Sequence, residues 1–272
     1  MHYLFQRFWH SVFAFISLSS FLYGQAPESA KAVNHLGMQF QVIDKDSPLF
    51  SIWETRVVDY KTFSDETGRK WDAPDFEQTG LHPVVNVSWG DAVAFCRWLT
   101  LREQTAGTLP EGARYRLPTS AEWDKAAGLS PVTPQNMHRA DLMAIEYPWG
   151  GDWPPPRNAG NYHPDLRIDD YNFTAPVGSF TPSASGLYDL GGNVWEWCMD
   201  PYNNALDFRV LRGASWRMRT PSDLQTRFRV GNIMNLRLDT YGFRVVLEIP
   251  AEQMDQTLEK MIPSKDEAEP LP

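Results

Sequence analysis

The chain has 272 residues, a formal net charge of −9 and 42% hydrophobic side chains, enough for one large domain with a real core. Its 11 Trp and 15 Phe, set against 21 Pro and 18 Gly, describe a loop-rich fold pinned by aromatic anchors. The acidic balance argues against nucleic acid as a partner, because phosphate binding needs a basic surface, and does not favour an anionic membrane surface.

In chain order, residues 1–26 read as a signal peptide. Arg7 and His10 precede the apolar run Ser11-Val-Phe-Ala-Phe-Ile-Ser-Leu-Ser-Ser-Phe-Leu-Tyr23, and Gly24 and Ala26 offer a small-residue cleavage point. The run is too short and too rich in serine for a membrane span. The expected destination is therefore export, periplasmic or extracellular, with no span left after cleavage. Residues 27–33 read as a linker, 34–250 as the folded domain, and 251–272 as an acidic tail, helical at most at its start and otherwise disordered.

Alternation of apolar and polar residues predicts a strand over 36–43 and a second over 51–58, running into a helix near 58–64. Residues 65–81 read as a loop and 84–87 as a short extended piece. Ser88, with Asp91 three residues on, is the N-cap signature of a helix through residue 101, with Val93, Cys96, Trp98 and Leu99 as its apolar face. Thr119 and Glu122 repeat the signature for a helix through 127. From 128 to 174 the chain is rich in Pro, Gly, Asn and Asp without periodicity, and a loop that long inside a compact domain signals function or a bound ligand. Short strands follow near 194–198, 210–213, 228–230 and 243–248. The two cysteines, Cys96 and Cys198, either pair as a disulfide or remain buried thiols.

The segment Gly186-Leu-Tyr-Asp-Leu-Gly-Gly-Asn-Val-Trp-Glu-Trp-Cys198 supports two readings. Asp189 and Glu196 flank a turn rich in free carbonyls, the hard-oxygen set that Ca²⁺ prefers. Equally, it is a glycine turn between core strands, with Glu196 paired to an arginine.

With this segment stand His82-Pro-Val-Val-Asn-Val-Ser-Trp-Gly-Asp-Ala-Val-Ala-Phe-Cys-Arg-Trp98, Tyr115-Arg-Leu-Pro-Thr-Ser-Ala-Glu-Trp-Asp-Lys-Ala-Ala127, Tyr147-Pro-Trp-Gly150, Ala175-Pro-Val-Gly-Ser-Phe180, Arg212-Gly-Ala-Ser-Trp216 and Tyr241-Gly-Phe-Arg-Val245. In this order, over about residues 34–248, they resemble the formylglycine-generating enzyme family, also called the sulfatase-modifying factor family. The resemblance implies an α+β, C-type-lectin-like fold, loop-rich with short strands and few helices. It is less specific for activity, since one fold hosts many functions.

The resemblance implies two structural Ca²⁺ sites. The first maps to the side chains of Asn158 and Asp169 and the carbonyls of Ala159 and Tyr171; the second maps to Asp189, Gly192, Val194 and Glu196. It also implies a substrate groove at Trp195, Ser215, Trp216 and Arg219, although core packing and a strand-end hydroxyl account equally for Trp195 and Ser215. Family enzymes oxidise a substrate cysteine using Cu(I) held by two cysteines between the Arg-Gly-Ala-Ser-Trp and Gly-Phe-Arg motifs, and soft thiolates are what select Cu(I). Here the interval 217–240 has no cysteine, and Met218 lies near the first expected position. Val245 replaces the cysteine that can bridge to the Cys96 position, so that bridge cannot form. The iron-dependent sulfoxide synthases of the family take their histidines mainly from an added N-terminal helical domain; no such domain is expected within these 272 residues, and their histidines show no paired spacing.

Three functional readings follow. The chain is a diverged family member, without copper chemistry, that binds an extended peptide or a protein, a sulfatase among the candidates; or a sulfatase-maturing oxidase; or an enzyme using the same groove differently. Arg212, Arg217, Arg219, Arg227, Arg229 and Arg237 crowd the old active-site interval, where they either bind an anionic group or pair with the chain's many acids.

Overall fold

The computed structural model describes residues 31–129 and 146–262. The expected leader at 1–26, part of the long loop, and the end of the tail lie outside the described residues.

Two sheets form the framework. In the first, β1 (Ala32–Val33), β2 (Gln39–Val42), β3 (Leu49–Ser51), β9 (Val246–Glu248) and β4 (Arg114–Arg116) run antiparallel in the order β1-β2-β3-β9-β4. In the second the order is β7 (Arg229–Ile233), β6 (Ala205–Arg212), β5 (Trp195–Tyr202) and β8 (Tyr241–Gly242), with β5 and β8 parallel. Three helices, α1 (Val57–Thr67), α2 (Trp89–Thr105) and α3 (Ser120–Ala126), pack beside the sheets, and α4 (Met254–Met261) closes the chain. The expected α+β, loop-rich fold with short strands and few helices is what the structure has.

Both capping signatures hold. Ser88 Oγ accepts the Asp91 amide at 3.2 Å while the Asp91 carboxylate accepts the Ser88 amide at 2.9 Å. Thr119 and Glu122 exchange the same pair of bonds at 3.1 and 2.8 Å. These bonds satisfy amides that have no intrahelical partner. Helix α1 begins at Val57, because the Arg56 amide and guanidinium both bond to Asp59.

The structure departs from the sequence expectations at several edges. The second expected strand, 51–58, does not form: β3 spans Leu49–Ser51 and meets it at Ser51 alone, and Ile52-Trp53-Glu54-Thr55 is a buried, non-sheet segment. Strand β1 falls inside the expected linker, and β4 forms where the sequence shows no strand pattern. Helix α4 is the short helix expected at the start of the tail, but it packs on the core beyond the expected domain end, with Thr257 and Met261 buried. Cys96 and Cys198 are both free and buried.

Indole N–H groups stitch loops to the core. Trp71 bonds to the Val85 carbonyl at 2.8 Å, Trp197 to Val87 at 3.0 Å and Trp89 to Cys198 at 3.0 Å. A tryptophan thus fills core volume while its polar edge satisfies a loop carbonyl. The first four residues of β5 are buried on both faces: Trp195 and Trp197 face the main core, and Cys198, two residues from Glu196, faces the smaller one around Trp123.

Candidate functional site

The Gly-Gly-Asn turn ahead of β5 is a polar hub. Gly191 and Gly192 are the residues this place requires. A Cβ on Gly192 would stand 2.4 Å from the Asn161 carbonyl, and one on Gly191 would stand 2.7 Å from the Tyr162 hydroxyl. The two segments lock together at that separation. Asn193, at φ 56°, donates from its side chain to Glu54 at 2.9 Å and accepts the Ala175 amide at 2.9 Å and the Asn161 amide group at 3.1 Å. Its main chain bonds to Asn161 and to Trp216.

The Gly-Phe-Arg motif is the crossing between the sheets. Gly242 gives β8 room against the Val84 carbonyl, 2.6 Å from where a Cβ would lie. Phe243 packs on Tyr60 and Phe95, and Arg244 turns inward. There, with neither side chain exposed, Arg244 grips Glu196 through two bonds of 2.6 and 2.8 Å and donates to the carbonyls of Ser51 and Tyr188. The Trp123 indole completes the Glu196 carboxylate at 2.9 Å. For Glu196, therefore, the arginine-paired reading is the one the geometry bears out: both oxygens are engaged, and Glu196 departs from the expected role of open cation ligand.

Asp189 is different. One carboxylate oxygen accepts the Gly178 amide at 2.8 Å and the other has no partner. Burial pushes its carboxyl up to about 6, against the Gly178 bond and the Arg244 charge, with Glu196 adding repulsion. Glu54, which the sequence reading passed over, is fully buried. Its carboxyl is raised well above the usual range by burial and by the charges of Asp189 and Glu196. No periodicity marks it; only its place inside an apolar stretch, Phe50 to Thr55, hinted that a buried charge was being held there.

The first expected cation set forms a surface cup. Asn158, Asp169 and Tyr171 line one depression together with Asp170 and Ser179, while Ala159 lines the adjoining cleft with Asn158 and Asp189. Asp169 accepts the amides of Tyr162 at 3.1 Å and Tyr171 at 2.9 Å, yet burial still raises its carboxyl. Among the described residues no group of three or more His, Cys, Asp or Glu could hold a metal by itself. A cation here would rely on backbone, amide and hydroxyl oxygens, a mixture that Ca²⁺ accepts. The donors at the cup fit such an ion.

The expected groove is mostly interior. Trp195, Ser215 and Trp216 are buried, at 4%, 0% and 5% exposure, so they support a surface rather than form one. Trp195 packs on Phe228, and the Trp216 indole donates to the Asp239 carbonyl at 3.2 Å. What lies open above Trp216 is the stacked pair Phe76 and Phe173, 4.5 Å between centroids, and the Arg217 guanidinium, 4.5 Å over the indole. Arg219 is exposed and bonds to Asp165. Met218 is half-buried against the core.

The arginines of the interval take carboxylate partners on different elements. Arg212 bonds to Asp124, Arg217 to Asp239 and Arg237 to Asp91, Arg227 forms a looser ion pair with Glu146 at 3.8 Å, and Arg229 lies over Tyr202. The acid-pairing reading fits them better than an anion-binding cluster.

These features meet their counterparts among known proteins. The domain family described as "Sulfatase-modifying factor enzyme 1-like domain" matches residues 22–249. The chain belongs to this family. Over 189 residues it is 38% identical to the "Inactive C-alpha-formylglycine-generating enzyme 2" of Bos taurus, covering 64% of this chain and 54% of that protein. Over 145 residues it is 38% identical to the "Formylglycine-generating enzyme" of Thermomonospora curvata, covering 49% and 40%. The chain thus spans about half the length or less of these relatives. The fold is shared with PvdO from Pseudomonas aeruginosa, at a TM-score of 0.58 and 23% identity over 78% of this chain and 82% of that one. Among the described residues no helix is long and apolar enough to cross a membrane.

Proposed function

We propose that this sulfatase-modifying-factor-type chain is an exported peptide- or protein-binding member without copper-dependent formylglycine-generating activity. One observation carries the reading: no cysteine stands between Trp216 and Val245, where the family's dithiolate belongs. The chain's own thiols offer no substitute. Cys96 and Cys198 are buried on other elements, and burial raises both above the ordinary thiol range, away from the thiolate that binds Cu(I). A half-buried Met218 thioether is a single soft donor and cannot replace two thiolates.

With its chemistry gone, the surface over Trp216 keeps recognition features. Phe76, Phe173, Arg217 and Arg219 present aromatic area beside guanidinium groups, the residue types that most often anchor interfaces. An extended peptide suits this surface, a sulfatase segment among the candidates. Ca²⁺ has a structural part in the same reading, held by Asn158, Asp169 and the carbonyls of Ala159 and Tyr171, and by Asp189 beside the Gly192 and Val194 turn.

Purified full chain loaded with Cu(I) and given a peptide with a Cys-x-Pro-x-Arg core is expected to yield no formylglycine by mass spectrometry; turnover would overthrow the reading. For recognition, Arg219→Ala and Phe173→Ala should each weaken capture of a peptide partner by about thirtyfold if they are anchors, while Lys61→Ala should not. Unchanged binding by both surface variants would place the interface elsewhere.

A further inference from the structure

Helix α2 has two apolar faces where a surface helix needs one. Ala92, Phe95, Cys96 and Leu99 are buried in the core. Ala94, Trp98 and Leu101, with Thr105 one turn further on, form a second stripe along the groove between α2 and α1. The groove has an aromatic floor, where Phe63 of α1 lies 5.4 Å from Trp98 between centroids. Beside it Leu101 stands out at 63% exposure, so the face carries a protruding knob next to a hole.

The charges on the same face are open on one side. Glu66 accepts the Trp98 indole N–H at 3.0 Å and Arg102 Nε at 3.2 Å, and the Arg102 guanidinium lies 5.7 Å over the Trp98 ring. The Glu66 and Arg102 side chains are still 43% and 32% exposed, so each has lone pairs or N–H groups left for a second partner. Arg69, on the same rim, is tied to Asp91 at 2.7 Å. Glu66 set against Arg69 and Arg102 leaves this face with no acidic excess, on a chain whose net charge is −9. Two copies of so acidic a chain repel each other, and the repulsion is least where the meeting faces are not acidic.

We propose that the α1–α2 groove is a self-association surface, occupied by the same face of a second copy of this chain. A knob and a hole on one surface are what a two-fold contact requires, because the same residues meet from both sides. With the two α2 helices antiparallel about an axis between Trp98 and Leu101, Leu101 of each protomer lies on Trp98 of its partner, and Ala94 lies opposite Thr105. Arg102, the next residue, then reaches Glu66 of the partner, and two carboxylates and two guanidinium groups close a ring around the axis. The contact is one helix wide, 17 residues long. That is a small interface, and the association belongs to the weak, micromolar class rather than the obligate one.

Sedimentation equilibrium of the full chain across the micromolar range should show monomer and dimer exchanging. Leu101→Glu sets a charge against the partner's aromatic floor and should weaken the dimer by about thirtyfold or more. Its thermal midpoint should stay at that of the parent monomer, since Leu101 lies outside the core. Charge exchange gives the sharper test. A Glu66→Arg chain brings only cations to the ring and an Arg102→Glu chain only carboxylates, so each alone should be monomeric. An equimolar mixture of the two should form a heterodimer, because each supplies the charges the other lacks. Circular dichroism checks that both variants fold; should either not fold, Leu101→Glu decides alone. A parent that stays monomeric throughout the range overturns the inference, whatever else the groove binds. So does a dimer that Leu101→Glu leaves intact, or a mixture of two folded charge variants that stays monomeric.

Discussion

At the scale of single residues, each buried charge is defined by what surrounds it. Asp91 shows the favourable case. Burial pushes its carboxyl up, but bonds from Arg237, from the Ser88 side chain and amide, and from Arg69 together outweigh burial and hold it down at about 2. A carboxyl depressed in the folded state contributes stability above its unfolded value near 3.8 and loses it as pH falls toward 2. That contribution is about 2 kcal/mol. Denaturant unfolding between pH 6 and 2 should show it as a loss that Asp91→Asn lacks, the variant being less stable at pH 6 and converging with the parent near pH 2. Parallel curves would mean the Asp91 bonds are not linked to folding. Glu54 and Asp189 are the opposite case, and only the three-dimensional neighbourhood tells them apart. The sequence displays a capping pattern around Asp91 but nothing that says Glu54 faces Asn193, 139 residues away.

Legibility at the scale of elements divides along the same line. Helices α2 and α3 were readable because their signals are local: hydroxyl and carboxylate three residues apart satisfy the same helix end. Strands β1 and β4 were not, since two or three residues are too few to show a period and become a strand only through their partners, Ala32 against nearby Phe40 and Tyr115 against distant Leu247. The burial of Trp195, Ser215 and Trp216 was hidden for a related reason: the motif locates these residues but says nothing about which side of the backbone faces solvent. The glycine turn, by contrast, was readable as a place of special backbone, and its structure makes a definite prediction. Gly192 has φ 88°, and the Asn161 carbonyl lies where a Cβ would go. Gly192→Ala therefore meets both left-handed strain and a backbone clash that no rotamer relieves. It should lose about 2 kcal/mol or more, against about 1 kcal/mol for Ala at exposed Gly68, the left-handed cap of α1, where nothing lies near the Cβ and the strain acts alone. Equal losses in chemical denaturation would show that the turn can open.

For the molecule as a whole, the order of strands in the first sheet makes the end of the chain part of its centre. β9 lies between β3 and β4, with Val246 and Leu247 fully buried, so the sheet is incomplete until residues 246–248 arrive. The preceding residues carry β8 into the second sheet and set Arg244 against Glu196 between the two. One short stretch, 241–248, thus joins both sheets and the buried ion pair, and the acidic residue on β5 has its counter-charge only when that stretch is in place. Helix α4 stands outside this framework: it follows β9, and buries Thr257 and Met261 while Leu258 packs partly covered against the same core. Two truncations should therefore behave differently. A chain ending after Pro250 keeps both sheets and loses the burial of α4, roughly 2 kcal/mol for a Met side chain and its neighbours, which lowers the midpoint by about 4–8 °C with cooperativity intact. A chain ending after Arg244 loses the strand that joins β3 to β4 and should show no cooperative melt by calorimetry or near-ultraviolet circular dichroism. If instead both truncations melt cooperatively with similar midpoints, the second sheet and the helices are a sufficient folding unit and β9 is an accessory strand.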